Sequence, residues 1–319
     1  MSFVNELSDG FENIPCEVCG HDERAIVATN TDLFLGGKTE FSMHECLNCG
    51  VIYQHPRPTF SKMVEFYPSD YVAYTPSLHT ESNLARFFRQ YGLRKRVKLI
   101  EQYVQNGRLL DVGSATGDFL SVMSSQPDWQ LIGVEPIHSA VAQSRNEVGV
   151  DVVEALLNDV PFAPESFDVI TMWDVIEHVY DPVKVVKQAA ILLRPGGVLV
   201  VNYPNLGSID RRLFGAAWAG YDLPRHLYLF PTTLLNKIMK TAGIKEIERK
   251  CLYGSHGATG TSITFAIEKQ FGHKHFSEIA RKFLLSKVMR ILLSPYFLLI
   301  DHFKLGSNLT VVFKKENEK

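Results

Sequence analysis

Residues 109–120 read LLDVGSATGDFL, and this stretch decides the fold. Apolar and β-branched residues around Asp111 predict a short buried parallel strand. The small residues from Gly113 to Gly117 predict a tight turn in which the backbone comes close to a ligand. Asp118 and the apolar residues after it predict the start of a helix. A strand, a small-residue turn and a helix in this order are typical of a ligand site at the carboxyl end of a parallel sheet.

A second acidic residue narrows the choice of ligand. Glu135 ends the next apolar run, at the position where a carboxylate binds ribose hydroxyls in nucleotide folds. The turn has no Gly-Lys-Ser/Thr, and Asp111 and Asp118 flank it with negative charge, so a phosphate cradle is disfavoured. A ligand with ribose hydroxyls and a positive centre fits this turn better.

The composition describes an ordinary globular chain. Its 319 residues, 45% hydrophobic and 21% charged, suit one large domain or one domain with a smaller appendage. A net charge of −2 gives no global attraction to nucleic acid. Residues 1–15 carry acidic groups and no basic segment before an apolar run, so we expect no secretory signal and a cytoplasmic location.

Four of the five cysteines form two Cys-x-x-Cys pairs, each followed by glycine. Two-residue spacing directs both sulfurs of a knuckle at one ion, and two knuckles complete a tetrahedral thiolate site. We therefore predict structural Zn²⁺ bound by Cys16, Cys19, Cys46 and Cys49. Disulfides or free thiols are the alternatives, and a reducing cytoplasm disfavours disulfides. The fifth cysteine, Cys251, is expected to pack.

Several motifs in order resemble class I S-adenosylmethionine-dependent methyltransferases. The turn matches the family pattern acidic-x-Gly-x-Gly-x-Gly at Asp111, Gly113 and Gly117, with Ala115 in place of the middle glycine. FDVITMWDVIEH at 167–178 resembles the fourth-strand motif of the family. LRPGG at 193–197 resembles the turn before its fifth strand. The resemblance covers the chain from about residue 80 onward.

This resemblance implies an α/β fold with a Rossmann-like, doubly wound, seven-stranded sheet whose last strand is antiparallel. A small amino-terminal zinc ribbon precedes it. The predicted division has four parts. They are a lead-in (1–14), a zinc-binding knuckle module (15–58), a connector (59–81) and the methyltransferase domain (82–319), which contains a helical insertion at about 255–308. The connector is interpreted as a lid or docking strap, or as a plain linker.

The resemblance also implies cofactor contacts. Glu135 matches the acid on the ribose hydroxyls, and Trp173 and Asp174 lie beside the expected methyl group. Trp173 fits equally well as a core residue that caps its strand. The aspartate usual near the adenine is missing, with Glu154 one residue earlier. The residues expected to bind S-adenosylmethionine are Asp111, Gly113, Gly117, Glu135, Pro136, Ala155, Leu156, Trp173 and Asp174.

The loop after the predicted fifth strand contains the candidate catalytic base. Similar methyltransferases carry Pro-x-His here, and His226 is suited to remove a proton from a hydroxyl near neutral pH. Tyr221, Asp222 and Arg225 are candidates to orient His226 or the acceptor. The alternative is that His226 caps the following helix or bonds to a backbone carbonyl. Glu177 and His178 are adjacent residues, which diverge on a helix, so we expect a structural role for His178.

We therefore expect a zinc-bearing methyltransferase that methylates oxygen or carbon of a small-molecule, sugar or lipid-linked acceptor. One rival is a zinc ribbon that binds or modifies tRNA or rRNA. It is disfavoured by the acids of the knuckle region, Glu17, Asp22, Glu23, Glu40 and Glu45, and by its few basic residues. A second rival is a non-catalytic scaffold, against which the intact cofactor motifs argue.

The insertion contains an amphipathic stretch, RKFLLSKVMRILLS at 281–294. Helical spacing gives it one apolar face, and Pro295 is expected to break the helix. We favour a helix that walls the acceptor pocket, or a homo-oligomer face. Between 281 and 304, five basic residues stand against Asp301 alone, so peripheral contact with the anionic inner membrane surface is the second interpretation. The apolar face comprises Leu284, Leu285, Val288, Met289, Ile291 and Leu292.

Overall fold

The computed structural model describes residues 5–6, 10–68, 83–147, 149–252, 255–272, 274–284 and 286–317. Most of the predicted connector, and Leu285, lie outside these residues. The strands are β1 (Asn5–Glu6), β2 (Phe11–Asn13), β3 (Arg24–Asn30), β4 (Phe41–Cys46), β5 (Ile52–Gln54), β6 (Arg57–Pro58), β7 (Gly107–Val112), β8 (Trp129–Glu135), β9 (Val152–Glu154), β10 (Phe167–Trp173), β11 (Leu193–Pro204), β12 (Tyr228–Leu229), β13 (Ile244–Lys250) and β14 (Asn308–Lys315). The helices are α1 (Phe60–Met63), α2 (Asn83–Glu101), α3 (Asp118–Met123), α4 (His138–Glu147), α5 (Pro182–Leu192), α6 (Ile209–Phe214), α7 (Thr232–Thr241), α8 (Ser255–Phe271), α9 (Lys274–Leu284) and α10 (Lys287–His302).

A seven-stranded sheet forms the centre of the molecule, in the order β13-β14-β11-β10-β7-β8-β9. The five strands from β11 to β9 are parallel, whereas β14 pairs antiparallel with both β11 and β13. This confirms the predicted doubly wound sheet with an antiparallel last strand. Parallel strands place their carboxyl ends at one edge, so β7, β8, β10 and β11 deliver their last residues to the same place.

The stretch at 109–120 folds as its sequence predicts. Leu109 and Leu110 are fully buried in β7, and α3 begins at Asp118. In the turn, Gly113 has a φ of +67° and Ala115 a φ of +46°, both in the left-handed region. A Cβ atom at Gly113 would lie 2.6 Å from a methyl of Val175, so this position requires glycine. Ala115 adopts the same region with its methyl group, at a cost of about 1 kcal/mol.

The knuckle module shares a sheet with the methyltransferase part of the chain. Strands β3, β4 and β5 form an antiparallel sheet, and β12 adds a fourth strand next to β5. Tyr228 pairs with Tyr53 and Leu229 with Ile52. The loop that carries His226 is therefore anchored on the amino-terminal module by backbone hydrogen bonds.

The insertion differs from its prediction in two ways. The stretch 281–294 is not one helix, because α9 ends at Leu284 and Ser286 caps α10. Pro295 lies inside α10 and does not end it. The proline removes the amide that would bond to the Ile291 carbonyl, but the Ser294 hydroxyl donates to that carbonyl at 2.8 Å instead. The helix therefore continues with its carbonyl satisfied.

The predicted apolar face of α10 points away from the protein. Val288, Ile291 and Leu292 are 64%, 72% and 65% exposed, while the opposite side of the helix buries Phe297 and Ile300. The expectation that this apolar face walls the acceptor pocket is therefore wrong for these three residues, which also lie outside the lining of the cavity at the carboxyl edge of the central sheet. In the part of the chain that is described, no helix combines the length and apolar character needed to cross a membrane.

Candidate active site

A cavity of about 750 Å³ opens at the carboxyl edge of the central sheet. The final residues of β7, β8, β10 and β11 all line it, as the fold rule for parallel sheets requires. Two further segments line it. Phe34 comes from the amino-terminal module, which was expected only to bind zinc, so sequence reasoning missed this residue. The others come from the segment predicted as the connector and are Phe60, Met63, Val64 and Tyr67.

Most residues predicted to bind the cofactor line this cavity, and we call the part of the lining that they form the cofactor half. Those that line it are Gly113, Glu135, Pro136, Ala155, Leu156, Trp173 and Asp174. Asp111 and Gly117 do not line it. Asp111 lies behind the turn and accepts a hydrogen bond from the Thr171 hydroxyl at 2.6 Å, and burial raises its pKa to about 7. Gly117 approaches Ser144 so closely that a side chain would not fit. Both residues shape the turn rather than face the cavity.

Glu135 is fixed between the glycine turn and the segment that follows β8. One carboxylate oxygen accepts a hydrogen bond from the Ala115 amide at 3.0 Å, and the other accepts one from the Ile137 amide at 3.1 Å. Burial raises the pKa of Glu135 to about 7, although these two amides lower it. The carboxylate is thus held in one orientation at the cavity wall, which suits it to accept hydroxyl donors.

An unpaired polar atom in the cofactor half fits S-adenosylmethionine independently of the glycine-turn motif. Asn158 lines the cavity, and its buried Oδ1 has no hydrogen-bond partner among the described residues. An unpaired buried acceptor calls for a donor from a ligand, such as an exocyclic amine. Sequence reasoning missed Asn158. The family's aspartate near the adenine is missing here, and the polar Asn158, shortly after Ala155 and Leu156, was the available signal for a residue that replaces it.

Trp173 and Asp174 show how the end of β10 is held. The Trp173 ring is buried in the core, packs edge-on against Phe119 at 5.5 Å and lies 4.7 Å from the Arg96 guanidinium carbon. It also lines the cavity, so its core and cofactor interpretations are compatible. Asp174 has a φ of +59° and accepts hydrogen bonds from the side-chain amide of Asn202 at 2.5 Å and that of Asn308 at 3.0 Å.

Other polar side chains of the lining form what we call the polar wall, which comprises Glu177, His178, Asp222 and His226. His226 hydrogen bonds through Nδ1 to the Gly220 carbonyl at 2.9 Å. Its Nε2 lies 3.8 Å from Asp222 Oδ2. Burial lowers the pKa of His226, so the imidazole is neutral near pH 7. His226 therefore bonds to a backbone carbonyl, as the alternative interpretation predicted, and it also lines the cavity.

Glu177 and His178 do not lie on a helix. Residues 174–180 form a turn, so the angle between adjacent side chains on a helix does not apply to them. The expectation that the Glu177 and His178 side chains diverge, which rested on that angle, is therefore wrong. One donor atom from each of Glu177, His178 and His226 lies within 4.8 Å of the others. Burial and the neighbouring His226 lower the pKa of His178 to about 3. Burial and nearby Asp174 raise the pKa of Glu177 well above its usual range.

Arg225 holds the loop from behind. Its side chain is fully buried and donates to Asp32 of the amino-terminal module at 2.6 and 2.8 Å, and to Asp222 at 2.7 and 2.9 Å. Although burial raises the pKa of Asp222, the charge of Arg225 and its hydrogen bonds outweigh burial and hold that pKa below its ordinary value. Tyr221 lies outside the cavity lining and packs edge-on against Trp218 at 5.2 Å.

The four knuckle cysteines converge as predicted. Cys16 Sγ lies 3.6 Å from Cys49 Sγ, and Cys19 Sγ lies 3.5 Å from Cys46 Sγ. All four sulfurs are within 4.8 Å of one another. Four thiolates at about 2.3 Å from one tetrahedral ion are separated by about 3.8 Å, so the cluster fits a zinc-binding module.

Comparison with known proteins agrees with this architecture. A "Ubiquinone biosynthesis O-methyltransferase" of Cereibacter sphaeroides is 30% identical over 158 residues, which cover 46% of this chain and 63% of that relative. A Mycobacterium tuberculosis protein named a probable S-adenosylmethionine-dependent methyltransferase is 38% identical over 77 residues, 24% of this chain and 28% of its own length. The chain thus spans less than two thirds of these curated relatives.

Solved structures include an S-adenosylmethionine-dependent methyltransferase of Archaeoglobus fulgidus, with 16% identity, a TM-score of 0.46 and coverage of 72% of this chain and 94% of that one. A family model described as a methyltransferase domain matches residues 84–248, just over half of the chain. These residues run from α2 to β13 and include the glycine turn, Glu135 and the His226 loop. The protein therefore belongs to the methyltransferase-domain family.

Proposed function

We propose that the protein transfers a methyl group from S-adenosylmethionine to an oxygen or carbon atom of a small-molecule acceptor. The observation that carries this proposal is the shared cavity, in which the cofactor residues and the polar wall around His226 face one space. The sulfonium methyl is already activated when the cofactor is bound. The chain's task is therefore to align the acceptor with it and to manage one proton.

The cofactor half supplies three contacts in this proposal. The Glu135 carboxylate accepts hydrogen bonds from the ribose hydroxyls, and Asn158 Oδ1 accepts one from the adenine amine. Gly113 lets the backbone approach the methionine part of the cofactor. Support comes from the fixed orientation of Glu135 and from the unpaired Asn158 oxygen.

The acceptor half combines an apolar body with a polar end. Phe34 of the amino-terminal module and Phe60 and Tyr67 of the connector line the cavity together with the polar wall. Such a surface suits an acceptor with a ring or alkyl body and an ionisable hydroxyl. O-methylation is also supported by the relatives named as ubiquinone biosynthesis O-methyltransferases. A sugar carried on a lipid satisfies the same description.

Within this proposal, the acceptor proton is removed at the polar wall, with His226 as its central group. The Gly220 carbonyl orients the imidazole, and Asp222 stabilises the positive charge that forms when Nε2 accepts the proton. Tyr221 acts indirectly, by holding Trp218 in the cavity lining. His226→Ala should lower turnover by about 10²–10⁴-fold while cofactor affinity stays near that of the wild type. A variant with full turnover would remove His226 from the reaction.

We also propose that the four-cysteine cluster binds Zn²⁺ in a structural role. Four thiolates fill a tetrahedral shell, so no position stays open for chemistry. The support is the convergence of the four sulfurs and the burial of Cys16 and Cys46 in the same apolar cluster as Tyr228 and Leu110, against which Cys19 and Cys49 pack. The ion would then stabilise the module that carries β5, the partner of β12.

A further part of the proposal concerns the exposed face of α10. Its apolar residues are flanked by Arg281, Lys282, Lys287, Arg290 and Lys304. Two copies of this face would bring like charges together, whereas an anionic membrane surface complements them. We propose peripheral contact with such a surface, which would present a lipid-linked acceptor to the cavity.

The acceptor class can be found by incubating the protein with methyl-labelled S-adenosylmethionine and a metabolite extract. The products are then separated into small molecules, lipids, nucleic acid and protein. Label in the small-molecule or lipid fraction, absent with His226→Ala, supports the proposal. Label confined to tRNA or rRNA would favour the nucleic-acid rival, and cofactor binding without any transfer would favour a scaffold.

A further inference from the structure

The polar wall contains a carboxylate that lacks a partner. Glu177 is 1% exposed, and both of its carboxylate oxygens are buried with no hydrogen-bond partner among the described residues. Its main chain is fixed, because the Glu177 carbonyl accepts the amides of Leu227 and Tyr228 at 2.7 and 3.0 Å. A buried carboxylate without hydrogen bonds is costly, so this position indicates a ligand that the wall is built to receive.

Two imidazoles beside Glu177 are held in the way that metal-binding histidines are held. His178 Nδ1 lies 3.0 Å from the Arg225 carbonyl and 3.1 Å from the Tyr67 hydroxyl, and His226 Nδ1 lies 2.9 Å from the Gly220 carbonyl. A ring nitrogen that bonds to a carbonyl must carry the proton, which leaves Nε2 as the lone-pair nitrogen on each ring. Metal-ligating histidines use this arrangement to fix tautomer and orientation.

The three side chains are close enough to share one ion. The rings of His178 and His226 are 4.6 Å apart, and one donor atom from each of the three residues lies within 4.8 Å of the others. Metal bonds of about 2.0–2.2 Å place such donors about 3–4 Å apart, so small side-chain rotations complete the site. The carboxylates of Asp174 and Asp222 face the same region and add negative potential, while the Arg225 charge is neutralised by Asp32.

We infer that Glu177, His178 and His226 bind a divalent cation in the wall of the acceptor half of the cavity. Two imidazoles, one carboxylate and open positions toward a cavity are typical of sites for Mn²⁺, Fe²⁺, Co²⁺ or Zn²⁺. This site is separate from the four-cysteine knuckle, whose thiolates prefer softer ions and leave no open position.

This inference rests on the proposed function and specifies how the acceptor loses its proton. The acceptor hydroxyl oxygen binds the cation, its O–H bond breaks, and the proton passes to solvent. The oxygen then forms its bond to the methyl carbon as the bond between that carbon and the sulfonium sulfur breaks. A bound cation lowers the pKa of such a hydroxyl and orients it, and His226 serves as a ligand of the ion. The site therefore selects acceptors with a hydroxyl group.

The test is a titration with Mn²⁺ of the full chain that holds one Zn²⁺ per molecule, enough to fill the four-cysteine knuckle only. The electron paramagnetic resonance signal of the free Mn²⁺ follows the binding. We expect one Mn²⁺ bound per chain. Glu177→Gln keeps the shape of the side chain and removes the anionic ligand, and His178→Ala removes one imidazole. Each should weaken Mn²⁺ binding at least about 10-fold. His302→Ala, on the exposed surface of α10, is the matched control and should leave the affinity unchanged.

A second readout does not depend on activity. Bound Mn²⁺ should raise the unfolding temperature of the wild type and of His302→Ala but not that of Glu177→Gln, because only the folded site binds the ion. Failure to bind Mn²⁺, or equal binding by wild type and Glu177→Gln, overturns the metal site. If His226→Ala still abolishes methyl transfer in that case, the proposed function stands and the free imidazole removes the proton.

Discussion

Asp32 and Arg225 lie 193 positions apart and form a two-pronged ion pair in the protein interior, with N–O distances of 2.6 and 2.8 Å. Asp32 belongs to the loop after β3, and Arg225 precedes His226. The Asp32 side chain is also fixed, since it accepts the amides of Phe34 and Leu35 at 2.9 Å each. The amino-terminal module therefore positions the loop that carries the central residue of the polar wall.

We expect Asp32→Asn to lower the free energy of unfolding by about 3 kcal/mol, because it removes one partner of a buried ion pair. Urea denaturation measures this change. Asp22→Asn is the matched control, since Asp22 pairs with Arg24 in the same module but its side chain is 75% exposed. That variant should differ from the wild type by less than about 0.5 kcal/mol. Equal losses in the two variants would contradict a special role for Asp32.

Removal of zinc should unfold the amino-terminal module, because binding energy is folding energy in such sites. Loss of β5 would leave β12 without its partner, so the Leu229 and Gln54 amides should lose protection from hydrogen exchange. Metal analysis should find one zinc per chain before chelation under reducing conditions and none after it. A metal-free chain that keeps native protection at these amides would show that the cysteines bind no structural ion.

The exposed face of α10 can be tested by flotation with anionic liposomes at low salt. Leu292→Asp should abolish flotation and leave thermal stability intact, because Leu292 is 65% exposed. Leu213→Asp is the matched control, since Leu213 is 68% exposed on α6, and it should float like the wild type. A wild type that stays in the soluble fraction would refute membrane contact. Concentration-dependent dimerisation lost in Leu292→Asp would assign the face to a second copy instead.

The affinity for S-adenosylmethionine should rise with pH. Burial raises the pKa of Glu135 to about 7 in the free chain, and the ribose hydroxyls donate best to the ionised carboxylate. Binding therefore favours the deprotonated form, so affinity should increase by up to about tenfold per pH unit below that pKa and level off above it. Glu135→Gln should remove this dependence. An identical pH profile in wild type and Glu135→Gln would move the titrating group elsewhere.

The order of the central sheet and most of the cofactor half were predictable from local patterns. A strand, a turn and a helix are encoded within a dozen residues around Asp111, and parallel strands end at a common edge. The turn that requires Gly113, and the position of Glu135 at the end of β8, follow from that rule.

The polar wall was not predictable in the same way, because its members come from distant segments. Glu177 and His178 follow β10, whereas Asp222 and His226 precede β12. The pairing of β12 with β5 anchors the loop of the second pair, and a two-residue strand leaves no periodic pattern in the sequence. Pro295 shows the opposite problem. The rule that proline breaks a helix predicted an end at Pro295. The helix continues because the Ser294 hydroxyl donates to the Ile291 carbonyl, which the missing proline amide leaves free.

The most direct test is calorimetry of S-adenosylmethionine binding to the wild type, Glu135→Ala and Glu154→Ala at pH 8. Glu154 is the matched control, because its carboxylate pairs with His138 at the surface and does not line the cavity. We predict that the wild type binds one cofactor per chain and that Glu154→Ala binds equally well. Glu135→Ala should lose about 1–3 kcal/mol, roughly 5- to 150-fold in affinity. Absence of binding by the wild type, or equal affinity in Glu135→Ala, would contradict the proposed cofactor site.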